Sequence, residues 1–180
     1  MRFKILSLLG VMFMLIITGC GSASSFSEND MGIRKVDDTK LKVQYDMSRS
    51  DAEKVLGVGE KTKLGFQYDS GVLIQYRDNK VAGIVLDEES TNIYETLSEV
   101  ETGFLKDETM NIYGDEYVSS GRDLTYFYDT STNSFIGQDE IHKETEEETE
   151  EIFVITVTFD DNGYANRIML MDQRMANYLR

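Results

Sequence analysis

Proline and tryptophan are absent from this chain, and cysteine and histidine occur once each, at Cys20 and His142. A single cysteine excludes an intramolecular disulfide and any zinc site built on several thiolates. A single histidine leaves the Ser-His-Asp and Cys-His arrangements only one base to use. His142 lies between Glu140 and Glu144 in a strongly acidic stretch, where nothing holds the fixed geometry that acid–base catalysis requires. Cations are scarce as well: 18 Lys and Arg against 33 Asp and Glu give a formal net charge of −15. That balance excludes the clustered basic surface of a nucleic-acid binder and argues against lying flat on anionic lipid.

The abundance of acids weakens other chemical readings. Close carboxylate pairs are unavoidable at this density, so they do not by themselves mark a glycosidase. Asp160-Asp161-Asn162-Gly163 lacks the alternating acids and distal Glu of an EF-hand loop and reads as a tight turn. Gly57-Val58-Gly59 is followed by no Lys in the order that a phosphate-binding loop needs. The chain is therefore expected to be non-catalytic and to need no cofactor or resident metal.

One long apolar run is present. Arg2 and Lys4 precede an uncharged stretch from Ile5 to Ile17, which is followed by Thr18-Gly19-Cys20. Thirteen residues are too few to cross a hydrocarbon core that needs about 20. The run is apolar on all sides, unlike a surface helix. The three-part plan is that of a secretory signal, and the ending resembles the bacterial lipobox. That resemblance implies removal of residues 1–19 and a diacylglycerol, carrying palmitate-type chains, on the Cys20 sulfur. Two acyl chains suffice for stable anchoring. The mature protein is then expected on the extracytoplasmic side of the cell membrane, held by lipid without spanning. Losing Arg2 and Lys4 takes its net charge from −15 to −17.

Beyond the signal, residues 20–40 are expected to be a flexible tether, since Gly21–Asp30 is small and polar. Structure is expected from Leu41. Ser50-Asp51-Ala52-Glu53 has capping-box spacing, Ala52, Val55 and Leu56 line one face, and Gly57 ends the helix. Val72, Ile74 and Tyr76 alternate with Leu73, Gln75 and Arg77, and Asp78-Asn79 turns the chain into Val81–Leu86. The same order recurs. A short helix at Asp107–Gly114 precedes Leu124–Tyr128, then Phe153–Phe159, the turn Asp161-Asn162-Gly163 and Ala165–Met171. The second copy carries an extra acidic loop at 131–150, which reads as a solvated hairpin tip. The expected class is α+β: two tandem modules, 41–101 and 102–180, of short helices packed on an antiparallel sheet.

The motifs Ser50-x-x-Glu53-x-Val55-Leu56-Gly57 with Val72–Val81, and Thr109-x-x-Ile112-Tyr113-Gly114 with Val154–Tyr164, resemble modules of the β-lactamase-inhibitor-protein-like fold. That fold is shared with the SmpA/OmlA outer-membrane lipoproteins. The resemblance implies action by binding other proteins, as an inhibitor or in envelope assembly. The chain lacks the family's Pro after the helix Gly and has no Trp. The sheet face bearing Val72, Ile74, Tyr76, Phe153, Ile155, Val157 and Phe159 is expected beneath the helices. The opposite face, with Gln75, Arg77, Thr125, Phe127, Thr156 and Thr158, is the candidate binding surface. The expected partners are the membrane, through lipid on Cys20, and a protein of the cell envelope. Two other classes stay open: a sensor of a ligand or divalent cation working through the clustered glutamates, and a carboxylate-based hydrolase.

Overall fold

A computed structural model describes residues 26–141 and 145–179; Cys20, His142 and Glu144 lie outside them. In chain order the strands of the first half are β1 (Gly32–Lys35), β2 (Lys42–Gln44), β3 (Glu60–Lys61), β4 (Phe66–Tyr68), β5 (Val72–Arg77) and β6 (Lys80–Asp87). Helix α1 (Arg49–Leu56) falls between β2 and β3. Then come β7 (Tyr94–Thr96), α2 (Lys106–Tyr113), β8 (Val118–Ser120), β9 (Asp123–Asp129) and β10 (Ser134–Ile136). The chain finishes with α3 (Glu146–Glu150), β11 (Ile152–Phe159), β12 (Ala165–Asp172) and α4 (Gln173–Tyr178).

These strands build a mixed architecture around a mostly antiparallel sheet. The large sheet runs β10-β9-β11-β12-β6-β5-β4-β3, with β8 also paired to β9. Its middle is the antiparallel pair β6–β12, in register at Leu86↔Ile168 and Ile84↔Leu170. A small sheet, β2-β1-β7, lies apart from it. One face of the large sheet is apolar throughout: Ile74, Ile84, Leu86, Ile155, Val157 and Ile168 are all buried. Ala52 of α1, Tyr113 of α2 and Ile33 and Val43 of the small sheet belong to the same core. Helices α1 and α2 and the small sheet thus complete a main hydrophobic core that draws on both halves of the described chain.

The local chemistry explains each helix. Ser48 caps α1, its hydroxyl accepting from the Asp51 N–H at 3.2 Å. This corrects the expected cap at Ser50: Glu53, expected to reach back, instead pairs with Arg49 at 2.7 Å. At α2 the cap position is Leu105, which has no side-chain acceptor, and Glu108 takes the Leu105 N–H at 2.7 Å. Gly57 and Gly114 end the two helices at φ 86°, ψ −164° and φ 88°, ψ −167°, a conformation that L side chains resist. The β5–β6 hairpin closes through Asp78 and Asn79, both at positive φ (50° and 64°), as a type I′ turn requires.

Two segments differ from expectation. The stretch expected as tether is structured from Phe26 onward: Phe26 packs on the core, Glu28–Asp30 forms a 3-10 turn, and β1 pairs on both sides. Met31 and Ile33 are 1% and 0% exposed, and this burial outweighs the polar composition around them. The acidic loop is not a bare hairpin tip either. Within it β10 pairs with β9, and Thr145 and Glu148 form a reciprocal cap that starts α3. Ile136 and Ile141 supply the apolar anchors that hold it to the sheet.

Candidate functional site

The face of the large sheet opposite the core is organised in rows across the strands. One row joins Gln67, Leu73, Val85, Met169, Thr156, Thr125 and Val118, each the direct cross-strand partner of the next. A second joins Gln75, Gly83, Met171, Val154, Phe127 and Ile136 in the same way. A third is polar: Asp87, Arg167, Thr158 and Asp123. Strand alternation therefore brings Gln75, Thr125, Phe127, Thr156 and Thr158 onto one surface. The Thr125 and Thr156 hydroxyls meet at 3.1 Å.

That surface is not uniformly open. Gln75, Phe127 and Thr156 are buried, while Thr125 and Thr158 are half-buried. Over the second half, Met175 and Ala176 of α4, with Ile136 and Ile141, pack on Phe127, Ile152, Val154 and Met171. Over Leu73 and Val85 no helix packs among the described residues, and these two, with Met169 at the border of the covered cluster, remain half-buried. Gln75 is held there by donating from Nε2 to the Leu64 carbonyl at 3.2 Å. Its Oε1 faces Gly83, where any Cβ would collide with it. The accessible part of the face thus comprises the Leu73–Val85–Met169 strip with its Gln67 and Thr125 flanks and, beside it, the polar row of Asp87, Arg167, Thr158 and Asp123. Strand alternation points to Leu73 as a member; Val85 and Met169 come into view only once β6 and β12 are paired.

Arg77 departs from the expected face. A register shift between Gln75 and Tyr76 precedes it, and its guanidinium reaches Asp172 through two bonds, 3.1 Å and 2.7 Å. Asp172 is fully buried. Tyr45 donates to the same carboxylate at 2.6 Å and accepts from Arg77 at 3.1 Å. Burial alone would lower the Arg77 guanidinium, but the Asp172 hydrogen bond and charge more than reverse this and hold it above its ordinary value. The Tyr45 hydroxyl is raised, first by burial and then by Asp172. A cleft of about 340 Å³ opens beside this network, lined by Tyr45, Asp46, Arg77, Lys80 and Glu150 among others. Its cations are engaged within the protein: Lys80 with Asp46 at 2.8 Å, Arg77 with Asp172 at 2.7 Å and Glu150 at 3.3 Å. The arrangement joins elements together, with both Lys80 and Arg77 engaged by carboxylates of the protein.

Among the described residues, no group of three or more His, Cys, Asp or Glu side chains is placed to hold a metal ion. No helix among them is long and apolar enough to cross a membrane. The Asp160 carboxylate, expected in a turn, accepts from the Tyr164 and Asn162 N–H groups at 2.9 Å and 2.8 Å. Those bonds, that of Tyr164 foremost, hold it below the usual carboxylate range. Cys20 lies outside the described residues. Compared with protein-family models, with characterised proteins and with solved structures, the chain matches none.

Proposed function

We propose that this chain is a lipid-anchored extracytoplasmic lipoprotein that recognises another protein of the cell envelope through the outer face of its sheet. The observation that carries the reading is the unequal covering of that face. The Phe127–Val154–Met171 cluster lies under α4, whereas among the described residues no helix covers Leu73 and Val85, which with Met169 beside them form a strip rimmed by polar side chains. The lipobox-like Ile17-Thr18-Gly19-Cys20 supports anchoring through Cys20. Recognition without catalysis is the mode that the resemblance to β-lactamase-inhibitor-protein-like modules suggests.

The same reading takes the body as two related modules. Several correspondences support it. The helix-ending glycines share one conformation. Isolated bridges join each helix cap to its hairpin, Ser48↔Lys80 and Leu105↔Tyr164. β6 and β12 each end on an Asp that caps the following helical turn, Asp87 and Asp172. A photo-crosslinking residue in place of Val85 is expected to give one discrete protein adduct in native cells. Leu73→Asp should abolish that adduct, and the same probe at Thr39 should give none. Equal labelling from Val85 and Thr39 would refute recognition through this face.

A further inference from the structure

We infer that the folded body is held within about 20 Å of the bilayer with the end where Phe26 is seated kept on the side that faces lipid. The inference rests on the reading of Cys20 as the lipidated residue. The Phe26 ring packs edge-on against Tyr128 at 4.8 Å and lies 5.3 Å from Phe135 and 6.1 Å from Tyr113. The chain stays fixed after it: the Ser27 N–H and hydroxyl both donate to Asp30 Oδ2 at 2.8 Å. Met31 is buried, and β1 follows directly. From Phe26 onward the chain moves with the body.

Six peptide steps separate Cys20 from Phe26. Whatever their conformation, they reach no further than about 20 Å. A body of roughly 150 residues is about 40 Å across. A leash shorter than that width cannot let the body present any side at will. Tyr113 closes α2, while Tyr128 and Phe135 sit on β9 and β10. The lipid-facing end is therefore the border of the sheet at β9–β10 with the end of α2. It is polar: Glu28, Asp115 and Glu116 are exposed, and the exposed large apolar side chains lie elsewhere. Such an end faces the headgroup layer without inserting into it. Strands β4–β6 lie in the other half of the sheet, and Leu73 and Val85 are on the face away from Phe26, so the recognition strip lies on the side turned away from the tethered end.

Cys20 is the only thiol, so the chain from Cys20 onward can be coupled at that atom to maleimide-lipid in a supported bilayer. Neutron reflectometry is expected to place the near edge of the protein within about 20 Å of the headgroups. Ten Gly/Ser residues inserted after Ser24 lift the limit to about 55 Å, and Phe26→Ser lifts it to about 37 Å by freeing the chain up to Met31. Hydrogen exchange on the bilayer should slow about threefold at residues 27–31 and 114–117 and stay unchanged at 73–85. An unaltered gap in the insertion variant, or protection at 73–85 in place of 27–31, would overturn the inference. Mass spectrometry of native material showing Cys20 unmodified would instead overturn the lipidation reading, and leaves the coupled geometry standing.

Discussion

At the scale of single residues, Asp172 does the work of several. Its carboxylate accepts from Arg77, from Tyr45 and, at 2.7 Å, from the Met175 N–H that begins α4. Removing one partner of such a buried pair leaves the other charge uncompensated, at a cost of about 3–5 kcal/mol. Asp172→Ala is accordingly expected to lower the unfolding free energy measured in urea by that amount, and adding Arg77→Met should recover part of the loss. Titration makes a second prediction. Burial raises the Tyr113 hydroxyl to about 12, and Tyr45, Tyr76 and Tyr126 are raised as well. The core accommodates the neutral phenol, so this stabilisation is complete below the unfolded value near 10 and is lost as pH rises toward the folded values. Melting temperature should hold level to about pH 10 and fall steeply above it. Asp160 works in the opposite direction. Its lowered carboxyl stabilises above the unfolded value, and the benefit fades as pH falls through the folded one. Single residues were only partly legible beforehand. Ser48-x-x-Asp51 and Ser50-x-x-Glu53 have the same spacing, and the backbone bridge Ser48↔Lys80, made by a distant strand, decides between them.

At the scale of elements, two features were legible because their signals are local. The hairpins announce themselves by alternation and by Asp78-Asn79 and Asn162-Gly163, and the helices by a glycine in a left-handed position. Nothing lies within 4 Å of a Cβ built at Gly57 or Gly114, so replacement there is opposed by backbone strain alone. Gly57→Ala and Gly114→Ala should each cost about 1–3 kcal/mol, and to a similar degree, in thermal melts. A large loss at only one of the two would weaken the modular reading. Short strands were not legible. β3, β8 and β10 are 2–3 residues long, too brief to show a period, and they exist because a neighbouring strand offers unpaired backbone groups. The small sheet was hidden for another reason: Ile33 is paired with Thr96, and no local pattern reports so distant a partner. α4 was missed likewise, since its apolar contacts are only Met175 and Ala176.

At the scale of the whole molecule, the division of the sheet into a core face and an outer face was legible from alternation, whereas the covering of half the outer face was not. Phe127 reads as a surface residue in its strand, and it is buried by chain that arrives from the acidic insertion and from α4. Anchoring is testable at this scale. Cys20→Ala should move the protein from membrane to soluble fractions with no change in its urea midpoint, and undiminished membrane retention would refute the lipidation reading. The strands β6 and β12 meet antiparallel at the centre of the sheet, above a core common to both halves. A fragment ending after β7 would leave β6 bare along one side, with Ile84 and Leu86 uncovered. Because the lost neighbour ran antiparallel, a second copy of β6 can take its place. Such a fragment should therefore assemble in pairs, each copy lending the other the half it has lost.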